Sequence, residues 1–185
     1  MSSERKLNSK RKFVSQGHAL PRPVPCHIKD HKQRGQWVEL LFMARAAQYG
    51  LGVAKPMGDW EYYDAAVQHK GRFLSVQVKS VMYREHRSYQ VNVIAGRNHR
   101  LYPTNRLDYF AIYIIPHDLW YIIPYSAIGR TRQSITLAPD MKGHRYERYK
   151  EAWHLLFRAQ NRKRRRVILS SSRAPHQQAG VRLGR

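Results

Sequence analysis

Apolar and polar positions along this chain change period several times, and each change marks an element. Residues 36–49, QWVELLFMARAAQY, are rich in strong helix formers, and Gly50 directly after them supplies a C-terminal stop. A short strand is expected over 52–55. Two more are expected over 62–68 and 72–81, and the alternation of Tyr89, Val91 and Val93 predicts another over 89–94. Residues 108–115, DYFAIYII, form a nearly continuous β-branched and aromatic run, the pattern of a strand buried on both faces. Residues 119–123 follow after Pro116, His117 and Asp118, so a hairpin is expected there. Over 146–160, Tyr146, Tyr149, Trp153, Leu156 and Phe157 share one helical face, which predicts a closing helix. The order of helix, several strands and helix gives an α/β (α+β) domain with a central mixed β-sheet flanked by helices.

The segment 62–80, YYDAAVQHKGRFLSVQVKS, fixes its own register if Lys70 and Gly71 form a two-residue turn. His69 then faces Arg72, Val67 faces Leu74, Ala65 faces Val76, and Asp64 faces Gln77. Opposite residues share a face and neighbours alternate. One face therefore carries Tyr63, Ala65, Val67, Leu74, Val76 and Val78, while the other carries Asp64, Gln77 and Lys79. A slip of one residue would mix the two sets. A polar face of this kind is also what any half-solvated antiparallel sheet shows, so the pattern alone leaves both readings open.

Composition narrows the function. The 185 residues suffice for one domain and some tail, and the formal net charge is +22, from 34 Lys plus Arg against 12 Asp plus Glu. A fold gains nothing from such an excess, whereas a polyanion neutralises it with release of counterions. Basic residues concentrate at both ends. Residues 1–34 read as a basic, flexible N-terminal arm, residues 35–160 as the domain, and residues 161–185, opening on the run Arg162–Arg166, as a basic flexible C-terminal tail. Cys26 is the lone cysteine, which excludes an intrachain disulfide and a cysteine zinc site; the ten histidines lack ligand spacing. Met1 to Lys12 has no apolar stretch behind it and does not read as a secretory signal. No apolar run approaches the ~18 residues of a membrane span, so a cytoplasmic, nucleoid-associated protein without a membrane partner is expected.

Chemistry enters through the hairpin. Mg²⁺, or Mn²⁺, takes oxygen ligands. The Asp64 carboxylate, the Gln77 side-chain oxygen and the Val78 backbone carbonyl offer three. Lys79 would then orient an attacking water or stabilise charge developing on phosphate. Glu39 lies on the first helix between Phe42, Met43 and Ala46, where a carboxylate is costly unless it is paired, reaches water or meets a metal.

Glu39, then Gly58-Asp59 and Tyr63-Asp64, then the stretch Val76 to Ser80, resembles the PD-(D/E)XK nuclease superfamily. The resemblance is closer to its group I intron homing endonuclease branch, in which Gln replaces the second acid. It extends to residues 108–111, 120–124 and 151–153 and covers roughly 35–157, leaving out both tails. It implies a restriction-endonuclease-like core and a metal-dependent DNA endonuclease. Residue by residue it makes Asp64 and Gln77 metal ligands, Lys79 the assistant of the water, and Glu39 a ligand through water. The neutral Gln77 departs from the commoner acid and lowers the charge offered to a cation. Asp59 is read as shaping its turn.

Double-stranded DNA is the expected partner, with Arg72, Ser80, Arg84, Arg87, Arg97, Arg100 and Arg106 as candidate contacts. The resemblance also implies a homo-oligomer, dimer or tetramer. Three functions stay open: a sequence-specific endonuclease in a mobile-intron or restriction-like role, a structure-specific nuclease of the Holliday-junction resolvase type, and an inactive nucleic-acid binder on the same scaffold.

Overall fold

The computed structural model describes residues 26–58, 60–95, 101–103, 105–129 and 133–157. Helix α1 (His31–Gln48) opens the domain. The Asp30 side chain accepts the Gln33 backbone N–H at 2.8 Å, a cap for the first turn. At the other end Gly50 N donates to Ala47 O (2.8 Å) and Leu51 N to Ala46 O (3.1 Å), with Gly50 at φ +83°. That double closure needs a left-handed residue, and glycine takes the position without strain. The helix starts five residues earlier than the apolar pattern predicts and reaches back into the stretch assigned to the basic arm. Its extra turn is held by polar contacts that periodicity does not see: Arg34 is buried, donating to Ile28 O at 3.3 Å and lying 2.6 Å from His31 Nδ1.

Strands β1 (Gly52–Ala54), β2 (Ala65–His69) and β3 (Arg72–Val81) follow as an antiparallel set. The β2–β3 register is the expected one from Ala65 opposite Val76 to His69 opposite Arg72, but the ladder stops at Ala65, and Tyr63, expected on the face of Val67 and Val76, packs against the other core instead. The turn is built by Lys70 (φ +49°) and Gly71 (φ +74°), both left-handed, which matches the twist of the two strands. Strand β5 (Tyr109–Ile114) lies parallel to β3, and β6 (Leu119–Pro124) antiparallel to β5, giving a five-stranded mixed sheet in the order β1-β2-β3-β5-β6.

β3 changes partner halfway along. Residues 72–76 pair with β2, and residues 76–81 pair with β5, so Val76 has a strand on both sides. Ser75 and Asp108 fasten the crossover: Ser75 N and Oγ both donate to Asp108 Oδ2 at 3.0 Å, and Asp108 N donates to Ser75 O at 3.1 Å.

Both faces of the sheet are covered. On one, Val38, Phe42 and Ala46 of α1 pack against Ala65, Val67, Val76 and Val78, joined by Trp120 and Trp153. On the other, Phe110, Ile112, Tyr121 and Ile123 meet a second, two-stranded sheet of β4 (Tyr89–Asn92) and β7 (Ser134–Leu137). Each fully buried side chain of this size contributes about 1.5–3 kcal/mol. The predicted strand over 89–94 therefore exists, but as a lid on the main sheet; β7 and the single turn α2 (Tyr125–Ile128) have no counterpart in the expected elements.

The closing helix expected over 146–160 does not form. Two 3-10 turns, Glu147–Tyr149 and Trp153–Phe157, stand in its place. Between them Lys150 bridges to Tyr121, Glu151 N donates to Trp120 O at 2.8 Å, and Glu151 sits at φ +48°. Edge pairing to β6 thus interrupts the helix. Tyr146, Tyr149, Trp153 and Leu156 are buried all the same. Residues 158–160, with the rest of the C-terminal tail, lie outside the described residues, as does the arm up to residue 25.

Candidate active site

β2 begins at Ala65, so β3 runs on beyond it from Gln77 to Val81. Asp64 stands at that step. Its backbone N–H donates to Val76 O at 3.0 Å, and its carboxylate turns across to β3. Oδ2 accepts the Gln77 amide at 2.5 Å and the Val78 backbone N–H at 2.8 Å. The carboxylate thus takes the position that a further residue of β2 would occupy. A strand residue directs its N–H and C=O to the same side. The Val78 carbonyl therefore also faces the open side, beyond the end of β2.

Gln77 is only 9% exposed, because the face it shares with Lys79 is covered by the second sheet and by Tyr102. A solvated polar face does not account for Gln77; Asp64 and Lys79 are half-buried. Lys79 Nζ lies 5.9 Å from the centre of the buried Tyr102 ring. Burial lowers its ammonium below the usual lysine value, while the Asp64 carboxylate pulls the other way. Burial also pushes the Asp64 carboxyl up to about 6; Glu39 adds to the rise, and the Val78 N–H, Lys79 and Gln77 oppose it.

Glu39 reaches the same place from the other face of the sheet. It lines a cleft of about 270 Å³ with Gln36, Lys55, Glu61, Tyr63 and Asp64. Its charge is met by Lys55, with Nζ 2.7 Å from Oε2. Of the alternatives for a carboxylate among apolar neighbours, pairing is the one observed, with a lysine from beyond β1. Among the described residues, no group of three or more His, Cys, Asp or Glu side chains could hold a metal ion by itself. Any cation here must use the amide and main-chain oxygens as well. Asp64, Gln77, the Val78 carbonyl and Glu39 make up such a hard, oxygen-bearing set. The Gln77 amide offers oxygen or nitrogen according to a half-turn about its last bond.

The basic candidates scatter more widely. Arg106 comes to the rim, 3.9 Å from Glu61 of the cleft. Ser80 follows Lys79 on β3 and is half-buried. Arg84 pairs with Asp140 at 2.9 Å, and Arg87 is exposed in the turn before β4. Arg72 sits at the far end of β3, seven residues from Lys79 or about 23 Å along an extended strand. Arg97, Arg100 and Asp59 lie outside the described residues. Sequence reasoning missed Lys55 and Tyr102, which carry no motif. Gln36 was findable, because it stands one helical turn before Glu39.

A family model described as PD-(D/E)XK endonuclease matches residues 29–156. Among solved structures, the bacterial homing endonuclease I-Ssp6803I is similar over 69% of this chain and 93% of that one, at 30% identity and a TM-score of 0.62. Hjc, a Holliday junction resolvase from Archaeoglobus fulgidus, is 13% identical with a TM-score of 0.46, covering 68% of this chain and 98% of its own. The search of curated proteins returned no match. With the family model spanning the helix, the mixed sheet and the step at Asp64, the chain belongs to the PD-(D/E)XK endonuclease family, in its homing endonuclease branch.

Proposed function

We propose that this chain is a divalent-metal-dependent endonuclease that hydrolyses phosphodiester bonds in double-stranded DNA, in a homing or restriction-like role. The observation that carries this reading is the convergence of Asp64, Gln77, Lys79 and Glu39 at one step in the sheet, with Gln77 buried and Asp64 and Lys79 half-buried beside the cleft. Asp64, Gln77 and the Val78 carbonyl would hold Mg²⁺ or Mn²⁺, with Glu39 acting through water. A bound divalent cation supplies Lewis-acid polarisation of the phosphate and a more acidic water.

The protein's own groups do the rest. Three carboxylates in one cleft, Glu39, Glu61 and Asp64, the last pushed up to about 6, favour a site that binds positive charge. Lys79, held against Tyr102, presents an ammonium that hydrogen-bonds the attacking water or the phosphate oxygens as negative charge builds. The net charge of +22 draws in the DNA backbone. The kinship with a homing endonuclease supports the role in a mobile element.

The test incubates the protein with supercoiled plasmid and with a four-way junction, each in Mg²⁺ and in chelator. Nicking or linearising of plasmid in Mg²⁺ alone is expected. Cutting of the junction alone would replace this reading with a structure-specific nuclease. Binding of both without cutting would leave a nucleic-acid binder.

A further inference from the structure

The loop between β1 and β2 forms part of the cleft wall through Pro56, Gly58 and Glu61, and of its exposed large apolar side chains two project furthest. Met57 is 87% exposed and Trp60 is 76% exposed. Of the four tryptophans, Trp120 and Trp153 are buried and Trp37 is packed against the core, so Trp60 alone projects from the surface. Its ring is nevertheless seated. Gly58 has φ +79°, and a Cβ added there would overlap the six-membered ring of Trp60. The indole therefore lies directly on the glycine backbone, which only glycine permits. An exposed indole that is fixed in this way at the mouth of a cleft is a contact surface rather than a stray side chain.

We propose that Trp60, with Met57 beside it, is an apolar wedge that enters the groove of duplex DNA next to the phosphate held in the cleft and packs on base and sugar surface. The inference rests on the endonuclease reading above. The occupant follows from continuity and charge: a duplex that brings a phosphate to Asp64 and Glu39 brings its bases over the same rim, and the +22 chain attracts that polyanion. Apolar side chains inserted at base steps unstack and bend the duplex at moderate cost and gain contact in return. The contact needs no base-specific hydrogen bond, so a mixed-sequence duplex suffices to show it.

The experiment titrates the full chain with a labelled, mixed-sequence 40-base-pair duplex at low salt and in chelator, so that binding is followed by anisotropy without cutting. Tryptophan emission is recorded alongside, with acrylamide as quencher. DNA is expected to quench the accessible emission and shield it from acrylamide; Trp60→Phe should lack that response while binding within about threefold of wild type. Trp60→Ala should weaken binding roughly tenfold or more, and Gly58→Ala, which unseats the ring but keeps the fluorophore, should do the same. Circular dichroism establishes that each variant is folded. Unchanged emission on a duplex that anisotropy reports as bound overturns the wedge and leaves the endonuclease reading standing. Emission that responds to protein concentration without DNA overturns it in favour of a second copy of the chain. A duplex that never binds wild type removes the endonuclease reading and the wedge with it.

Discussion

Asp64 Oδ2 accepts two donors from β3, the Gln77 side-chain amide and the Val78 backbone N–H, so one oxygen at the end of β2 is tied to two consecutive residues of the neighbouring strand. The amide at position 77 is therefore more than a neutral stand-in for an acid: it is a donor to the carboxylate beside it. Replacing it reverses that role. Gln77→Glu should lower the metal-free melting temperature at pH 7.5, by the equivalent of about 1–3 kcal/mol, because a buried carboxylate would face another. Added Mg²⁺ should restore more stability to this variant than to wild type. Thermal unfolding with and without Mg²⁺ measures both; equal Mg²⁺ responses would remove Gln77 from the metal site.

The raised carboxyl of Asp64 sets a pH dependence. Its folded value of about 6 lies above the ordinary 3.8, so the folded state holds the proton more tightly than the unfolded one. The sign follows: this group opposes folding above pH 6, the opposition fades between 6 and 4, and it vanishes below. Asp64→Asn should thus raise metal-free stability at pH 7.5 by on the order of 2 kcal/mol and change it little near pH 4. Urea unfolding at the two pH values tests this, and a gain of the same size at both would assign it to something other than charge.

Cleavage and binding should part company in Asp64→Ala. The carboxylate faces the proposed metal and repels phosphate, so single-turnover cutting should be abolished while duplex affinity holds or tightens. Cutting at the wild-type rate on the same labelled duplex would sink the assignment.

Lys79→Met keeps an apolar stem against Tyr102 and removes only the ammonium. The expected loss in single-turnover rate is ~10²–10³, with metal binding by calorimetry and folding both retained. A rate within threefold of wild type would mean that Lys79 neither assists the water nor stabilises the developing charge.

The basic ends should act on affinity alone. Removing residues 1–25 and 162–185 leaves Asp30 to cap α1, and each lost phosphate contact should reduce the slope of log affinity against log salt by about 0.9. Extending the first deletion through residue 30 removes the cap and should cost about 1 kcal/mol more in stability. An unchanged salt slope would take the tails out of the interface.

The hairpin was legible from the sequence because its register follows from a local fact, the Lys70-Gly71 turn, and the alternation beyond it admits one pairing. The strand over 109–114 was legible because burial on both faces leaves an apolar run. What stayed hidden depends on partners distant in the chain. Alternation at Tyr89 and Val91 marks a strand but not which sheet it joins, so the covering of the Gln77 face was invisible. The helical spacing at 146–157 reports burial, which occurs, and not conformation, which pairing with β6 decides. Lys55 meets Glu39 across sixteen residues with no pattern to announce it.

If the proposed site is the active one, the step at Ala65 makes strand length a functional variable. Had β2 continued two residues further, its backbone would meet the Val78 N–H and C=O, the ladder would close, and the sheet would gain order while losing its mouth. Activity in this architecture is thus exposed to a kind of change that touches no functional side chain. On the proposed reading of the site, an insertion or deletion that lengthens pairing before Ala65 would silence the enzyme by improving its sheet. Conversely, a designer seeking a new hydrolytic site in a mixed sheet has a simple geometric recipe: stop one strand early beside a longer neighbour, and let a carboxylate finish the edge.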